Sequence, residues 1–306
     1  MNTHEAPSVL QSRDWDEEYR RLTSTPEIPS DSSAWDARAA NFTVKDSPGA
    51  YVNDFLRLAG LHPGESVLDM GCGAGHLAIP LAQAGHMVIA ADFSEGMLGQ
   101  LRQAMESRQL DGIDVKKMAW EDDWDEFGVG ESCVDAVIAS RSIATSASLE
   151  QHVRKMSRTA RRLCCATVSI GTTPRIDNRI IGICGMQERG LRTHQYLLNI
   201  LINLGYQPSC NYISSARDCG YDSFQQAQED YRTMLLRCIE EQAWRLEDEA
   251  RDLARFHGLL DEWLSEMLIE NTDPTPECPG KLKLKETRVS TWAFIAWSPH
   301  KGRILQ

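Results

Sequence analysis

Residues 67–81 read VLDMGCGAGHLAIPL: an apolar run carrying one acid, then three glycines at alternate positions, then a second apolar stretch. Ser66–Met70 lies between Gly64 and Gly71 and has the length and composition of a short buried strand. A helix is expected to follow from about His76 to Ala84, with the glycine-rich turn between. Gly71, Gly73 and Gly75 leave no Cβ where the backbone must take positive φ or approach a ligand closely. The amides of such a turn and helix start face outward at the carboxyl edge of a sheet, where open α/β folds hold ligands. A tight strand-to-helix turn with no ligand is the plain alternative.

Outward from this motif the chain alternates. A helix ending at Gly60 precedes it, with Tyr51, Val52, Phe55, Leu56 and Leu58 at helical spacing. Strands are expected at Met87–Ala91, Asp114–Met118, Val134–Ser140, Leu163–Ile170 and about Cys210–Ser214. Helices are expected at about Ser94–Glu106, Ser148–Thr159 and Thr193–Leu204. This order implies right-handed crossovers and an α/β fold with a doubly wound, mostly parallel sheet. Residues 221–270 break the alternation and read as two helices without a strand. In the second, Leu253, Phe256, Leu260, Trp263, Leu264, Met267 and Leu268 form an apolar stripe that must be covered by the sheet domain, the N-terminal helices or a second subunit. A Pro-rich linker at Pro274, Pro276 and Pro279 leads to a late strand, Val289–Trp297. The first 48 residues are the least orderly, with Trp15, Tyr19, Trp35 and Phe42 as apolar anchors. One helix is expected there at about Asp14–Leu22, and a second after the candidate caps Ser30, Asp31, Ser32 and Ser33, through Trp35 to Ala40. The expected organisation is an N-terminal helical extension or lid (1–48), a cofactor-binding α/β domain (49–220), an acidic helical insertion serving as lid or dimer element (221–280), and a final strand completing a seven-stranded sheet (281–306).

The 306 residues are 42% hydrophobic and 25% charged, which excludes collagenous, low-complexity and wholly disordered classes. Lys and Arg number 32 against 44 Asp and Glu, a net charge of −12 that repels phosphate backbones and sets free nucleic acid aside as a partner. The segment 221–270 supplies −8 of this, from 13 acids and five arginines. No run is long and apolar enough for a membrane span, and Met1–Arg13 shows no leader pattern, so a cytoplasmic protein is expected. The nine cysteines form no zinc-like pair, and no metal site is expected. Cys164 and Cys165 fall inside an apolar strand and read as core thiols.

Two carboxylates narrow the ligand. Asp69 stands two residues before Gly71, where a pyrophosphate would be repelled but an ammonium group would be welcome. Asp92 ends the next strand and can accept hydrogen bonds from both ribose hydroxyls. An adenosine carrying an amino acid satisfies both.

VLDMGCGAGHLAIPLA and VIAADFSEGML (88–98) together resemble the first two motifs of the class I S-adenosylmethionine-dependent methyltransferases. The resemblance covers about residues 49–215 plus the final strand. It implies a Rossmann-like fold and S-adenosyl-L-methionine as cofactor. Asp69, Gly71, Gly73 and Gly75 would then surround its methionine part, Asp92 its ribose, and Phe93 or Met97 the adenine face, with Cys72 and Ser94 also among the cofactor-binding residues. Trp120 and Glu121 fall where the family places the adenine edge, although the usual Asp-Ala pair is absent here. Ser140, Arg141 and Ser142, at the end of the fourth strand, would border the transfer site. The NPPY-like run of amino-methylating nucleic-acid enzymes is missing there.

A sulfonium donor needs no protein nucleophile, so the acceptor has only to be held in line. His76 and Tyr196 are the candidate bases, and Arg141 a candidate for holding a carboxylate or for pairing with Asp69 or Glu121. Trp35 and Arg38 are candidates for a lid. A small-molecule acceptor is the leading expectation, with a basic peptide tail second. A non-catalytic cofactor-binding or partner-pairing module shares every motif, and an NAD-dependent oxidoreductase is disfavoured by Asp69.

Overall fold

The computed structural model describes residues 13–23, 32–41, 49–145, 148–171, 176–186, 193–241, 246, 248–276 and 278–305. In chain order the elements are α1 (Trp15–Thr23), α2 (Ser33–Asp36), α3 (Ala50–Ala59), β1 (Ser66–Met70), α4 (Ala78–Gln83), β2 (Met87–Asp92), α5 (Glu95–Ser107), β3 (Ile113–Lys117), β4 (Val134–Ser140), α6 (Leu149–Thr159), β5 (Ala160–Ser169), α7 (Arg179–Ile183), α8 (Thr193–Asn203), β6 (Ser209–Arg217), β7 (Gly220–Tyr221), α9 (Phe224–Glu241), α10 (Glu249–Met267), β8 (Leu268–Glu270), β9 (Leu282–Leu284) and β10 (Arg288–Trp297). The candidate caps Ser30 and Asp31, and Phe42, lie outside the described residues.

Seven strands form one sheet in the order β3-β2-β1-β4-β5-β10-β6, with β3, β2, β1, β4 and β5 mutually parallel. This is the doubly wound architecture the alternation predicts. All five β1 residues are buried, as covered parallel strands require. The strand order reverses between β1 and β4, so the topological switch point lies where the glycine motif leaves the sheet.

The chain divides into two compact units. The first comprises 1–168, 193–213 and 293–306, and so takes in the N-terminal helices. Each of these is fastened by an aspartate that caps a core helix. Asp16 of α1 accepts from Ser148 Oγ (3.0 Å) and the Glu150 amide (3.0 Å) at the start of α6. Asp36 of α2 accepts from Ser94 Oγ (2.5 Å) and the Gly96 amide (2.8 Å) at the start of α5. Such caps satisfy amides that a helix cannot satisfy itself.

The second unit comprises 169–192 and 214–292, so residues 169–192 join the helical stretch rather than the domain drawn through residue 220. Its core gathers Ile180 of α7, Tyr231, Met234, Leu235 and Cys238 of α9, and Phe256, Leu260 and Leu264 of α10. The apolar stripe of α10 is therefore covered inside its own unit and gives no reason for a second subunit. Two or three residues each of β7, β9 and β8 form a small antiparallel sheet. This corrects the strand-free reading of 221–270, and the elements are too short to show a periodicity.

Elsewhere the corrections are local. The helix after the glycine motif begins at Ala78, so His76 stands in the turn before it and not at its start. Helix α2 ends at Asp36, and a separate 3₁₀ turn covers Ala39–Asn41. No helix among the described residues is long and apolar enough to cross a membrane, and none of their His, Cys, Asp and Glu side chains cluster in threes as a metal site. No disulfide forms among them.

Candidate functional site

The turn after β1 is bound to the end of β2, because the Gly71 and Cys72 amides both donate to the Ala91 carbonyl, at 2.8 and 3.0 Å. All three motif glycines have positive φ, yet their surroundings differ. A Cβ on Gly71 would lie 2.3 Å from Ser142 Cβ, and one on Gly75 would lie 2.4 Å from Leu101 Cδ1. Those two glycines make room for the protein itself. A Cβ on Gly73 would meet nothing within 4 Å among the described residues, so of the three Gly73 is the one they leave uncovered.

Asp69 sits at the end of β1, only 1% exposed, and neither carboxylate oxygen has a hydrogen-bond partner among the described residues. Burial, reinforced by the charge of Asp92, pushes its pKa up to about 7. The Ala78 amide offsets part of this without reaching hydrogen-bond geometry. An uncompensated buried carboxylate is costly, and a cation beside it would remove the cost.

Asp92 is fixed on both sides. One oxygen accepts from the Ser94 amide at 2.9 Å and the other from the Gly73 amide at 2.8 Å. Burial pushes its pKa up, while these amides and that of Phe93 pull against the shift. Each oxygen keeps a lone pair for a hydroxyl. Ser94 caps α5 by accepting from the Met97 amide (3.2 Å), and Met97 is buried while Phe93 is half-buried. Beside them lies Asp36, whose carboxyl is held below its usual range by hydrogen bonds from Ser94, Gly96 and Ser32. The sequence motif SAWDARAANF points to Trp35 and Arg38, whereas the residue that docks on the site's rim is Asp36. An acid ending a short helix is the signal that could have found it.

Trp120 is 6% exposed and packs on His152, with ring centroids 4.3 Å apart, and on Trp124 at 5.6 Å. Its indole N–H has no partner among the described residues. Lys155 holds the segment by donating to the Trp120 and Asp122 carbonyls at 2.6 and 2.7 Å. Glu121 points to solvent. His152 is held in place: burial lowers its pKa to about 4, and its Nδ1–H donates to the Ile143 carbonyl at 2.8 Å.

At the end of β4, Ser142 Oγ donates to the Met70 carbonyl at 2.5 Å, tying this strand to the glycine turn. Ser140 Oγ and Thr167 Oγ1 lie 2.9 and 2.7 Å from the Tyr51 hydroxyl. Arg141 is exposed, with its guanidinium 4.6 Å from the Tyr51 ring centroid. His76 is half-buried in the motif's turn. Tyr196 is gathered elsewhere, on α8, with Trp15 and Tyr19 at 6.0 and 5.8 Å and its hydroxyl donating to Glu18 at 3.2 Å. The glycine turn, Asp69, Asp92 and the end of β4 thus form one constellation at the switch point, and Tyr196 belongs to the docking of α1.

A sequence profile described as "Methyltransferase domain" matches residues 67–163. An uncharacterized protein of Haemophilus influenzae is 32% identical over 187 residues, which cover 60% of this chain and 68% of the relative. The malonyl-[acyl-carrier protein] O-methyltransferase of Pectobacterium atrosepticum is 28% identical over 167 residues, covering 53% of this chain and 60% of that enzyme. Among solved structures, YcgJ from Bacillus subtilis matches 82% of this chain and 99% of its own at 14% identity, with a TM-score of 0.49.

Proposed function

Because the chain belongs to the class I S-adenosylmethionine-dependent methyltransferases, whose methyl donor is S-adenosyl-L-methionine, we propose that it methylates a small molecule, with the donor held over the glycine turn between β1 and α4. One observation carries the reading: the buried Asp69 carboxylate has no hydrogen-bond partner among the described residues and stands at the turn where Gly73 is left uncovered by them. An ammonium group fits there, and a pyrophosphate does not. The amide-fixed Asp92 suits a pair of ribose hydroxyls, and buried Met97 with half-buried Phe93 suits an apolar ring face. When bound, the donor supplies a sulfonium that carries its own leaving group. The protein's part is then to position the acceptor at the end of β4 and keep water out.

The acidic surface and the lack of an NPPY-like run after β4 support a small acceptor over nucleic acid. Nine cysteines without a disulfide suit a reducing, cytoplasmic setting. Calorimetric titration with S-adenosylhomocysteine tests the site. Wild-type protein is expected to bind, and Asp92→Ala and Gly73→Val each to weaken binding by about tenfold or more, the loss of one good charge-assisted contact. No binding to the wild type would refute the proposal.

A further inference from the structure

We propose that Arg141 reads an oxyanion, a carboxylate or a phosphate, on the methyl acceptor; this deepens the methyltransferase reading and rests on it. Three non-glycine residues among those described have positive φ. Gln109 and Ser132 stand in the turns that lead into β3 and β4, whereas Arg141, at φ 61°, follows a strand at the carboxyl edge of the sheet. An L-residue is strained there, and a glycine would not be. The strain is imposed by a built support. The Arg141 amide donates to the Thr167 carbonyl at 3.2 Å and to Thr167 Oγ1 at 3.1 Å. Thr167 Oγ1 in turn meets the buried Tyr51 hydroxyl, which also meets Ser140 Oγ. The ring over which the guanidinium lies is therefore itself fixed, at 4.6 Å. Its immediate neighbour Ser142 is bonded to Met70 and fills the space above Gly71. A planar guanidinium is thus held at the switch point, on an exposed side chain whose backbone and stacking partner are both immobilised. A guanidinium pairs with two oxygens of a carboxylate or a phosphate through two parallel hydrogen bonds. In a chain of net charge −12, an anionic acceptor needs a local cation of this kind.

The test is protection of Arg141 from phenylglyoxal, read by peptide mass spectrometry on protein saturated with S-adenosylhomocysteine. Malonate, inorganic phosphate and the neutral malonamide are compared at matched ionic strength, with exposed Arg102 as internal reference. Malonate or phosphate is expected to slow modification of Arg141 by about fivefold or more, with malonamide and Arg102 unaffected, as a bidentate oxyanion contact requires. Which anion protects tells carboxylate from phosphate. Equal rates in all three overturn the proposal. Complete protection by S-adenosylhomocysteine alone also overturns it, because Arg141 would then belong to the donor site. Failure of S-adenosylhomocysteine to bind is a separate calorimetric result and overturns the methyltransferase reading instead.

Discussion

The three motif glycines show how one sequence pattern can hold two kinds of necessity. Gly75→Ala would combine left-handed strain with a methyl 2.4 Å from Leu101 Cδ1, and about 2 to 4 kcal/mol of stability is expected to be lost in urea unfolding. Gly73→Ala meets no neighbour among the described residues and should lose only the conformational part, about 1 kcal/mol, so its larger effect is expected on ligand binding. Asp69 gives a prediction with a sign. Its folded pKa, raised to about 7, means that the folded chain holds a proton that the unfolded chain has already released above about pH 4. Stability of the ligand-free protein should therefore fall as pH rises between those values. Asp69→Asn should flatten that slope and raise stability at about pH 8, while weakening S-adenosylhomocysteine binding; urea melts at about pH 5 and pH 8 check the first, and calorimetry the second. Asp69, Asp92 and the glycines were legible because spacing along one strand and one turn determines where they stand. Tyr51 and Thr167 were legible as members of a helix and a strand but not as partners of Ser140 and Arg141, and Asp36 was not legible as a partner of Ser94, because such pairings join separate elements and no local period records them.

Among the elements, the long periodic ones were read to within a few residues: β1 and β4 match their expected spans, and α5, α6 and α8 differ by a residue or so. The small sheet of β7, β9 and β8 was invisible because two or three residues cannot display an alternation. The caps of α5 and α6 are a further case. Ser94 and Ser148 are legible local caps, but each helix also receives an aspartate from the N-terminal region. Asp16→Ala is expected to cost about 1 kcal/mol, the usual worth of a cap, seen in thermal or urea unfolding. Asp36→Ala should lower the melting temperature and also loosen the α5 start beside Asp92, so S-adenosylhomocysteine should bind more weakly. A variant that melts lower but binds unchanged would separate the rim contact from the site.

For the whole molecule, charge and core are distributed differently. The acidic excess lies mainly in 221–270, yet the same stretch builds a core around Tyr231, Phe256 and Leu260. Inside that unit Asp177, 2% exposed, accepts from Tyr231 at 2.6 Å and from Arg179. Burial alone would raise its pKa, but the hydrogen bonds from Arg179 and Tyr231 outweigh it and hold the carboxyl low. Its stabilisation is present at neutral pH and is lost as pH falls through the lowered value. Asp177→Ala leaves Arg179 half-buried without its main partner and is expected to cost about 3 kcal/mol, with hydrogen-exchange protection lost in α7, α9 and α10.

The docking of α1 also bears on the order of assembly. The helix carrying Trp15 and Tyr19 is the first described segment to leave the ribosome, but the amide that Asp16 caps belongs to Glu150, 134 residues later. Tyr19 is buried only when the chain around Ala144 and Thr193 has also been made. At about 5 to 20 residues per second, the opening aromatic segment waits many seconds for its binding place, exposed throughout to chaperones and to other nascent chains.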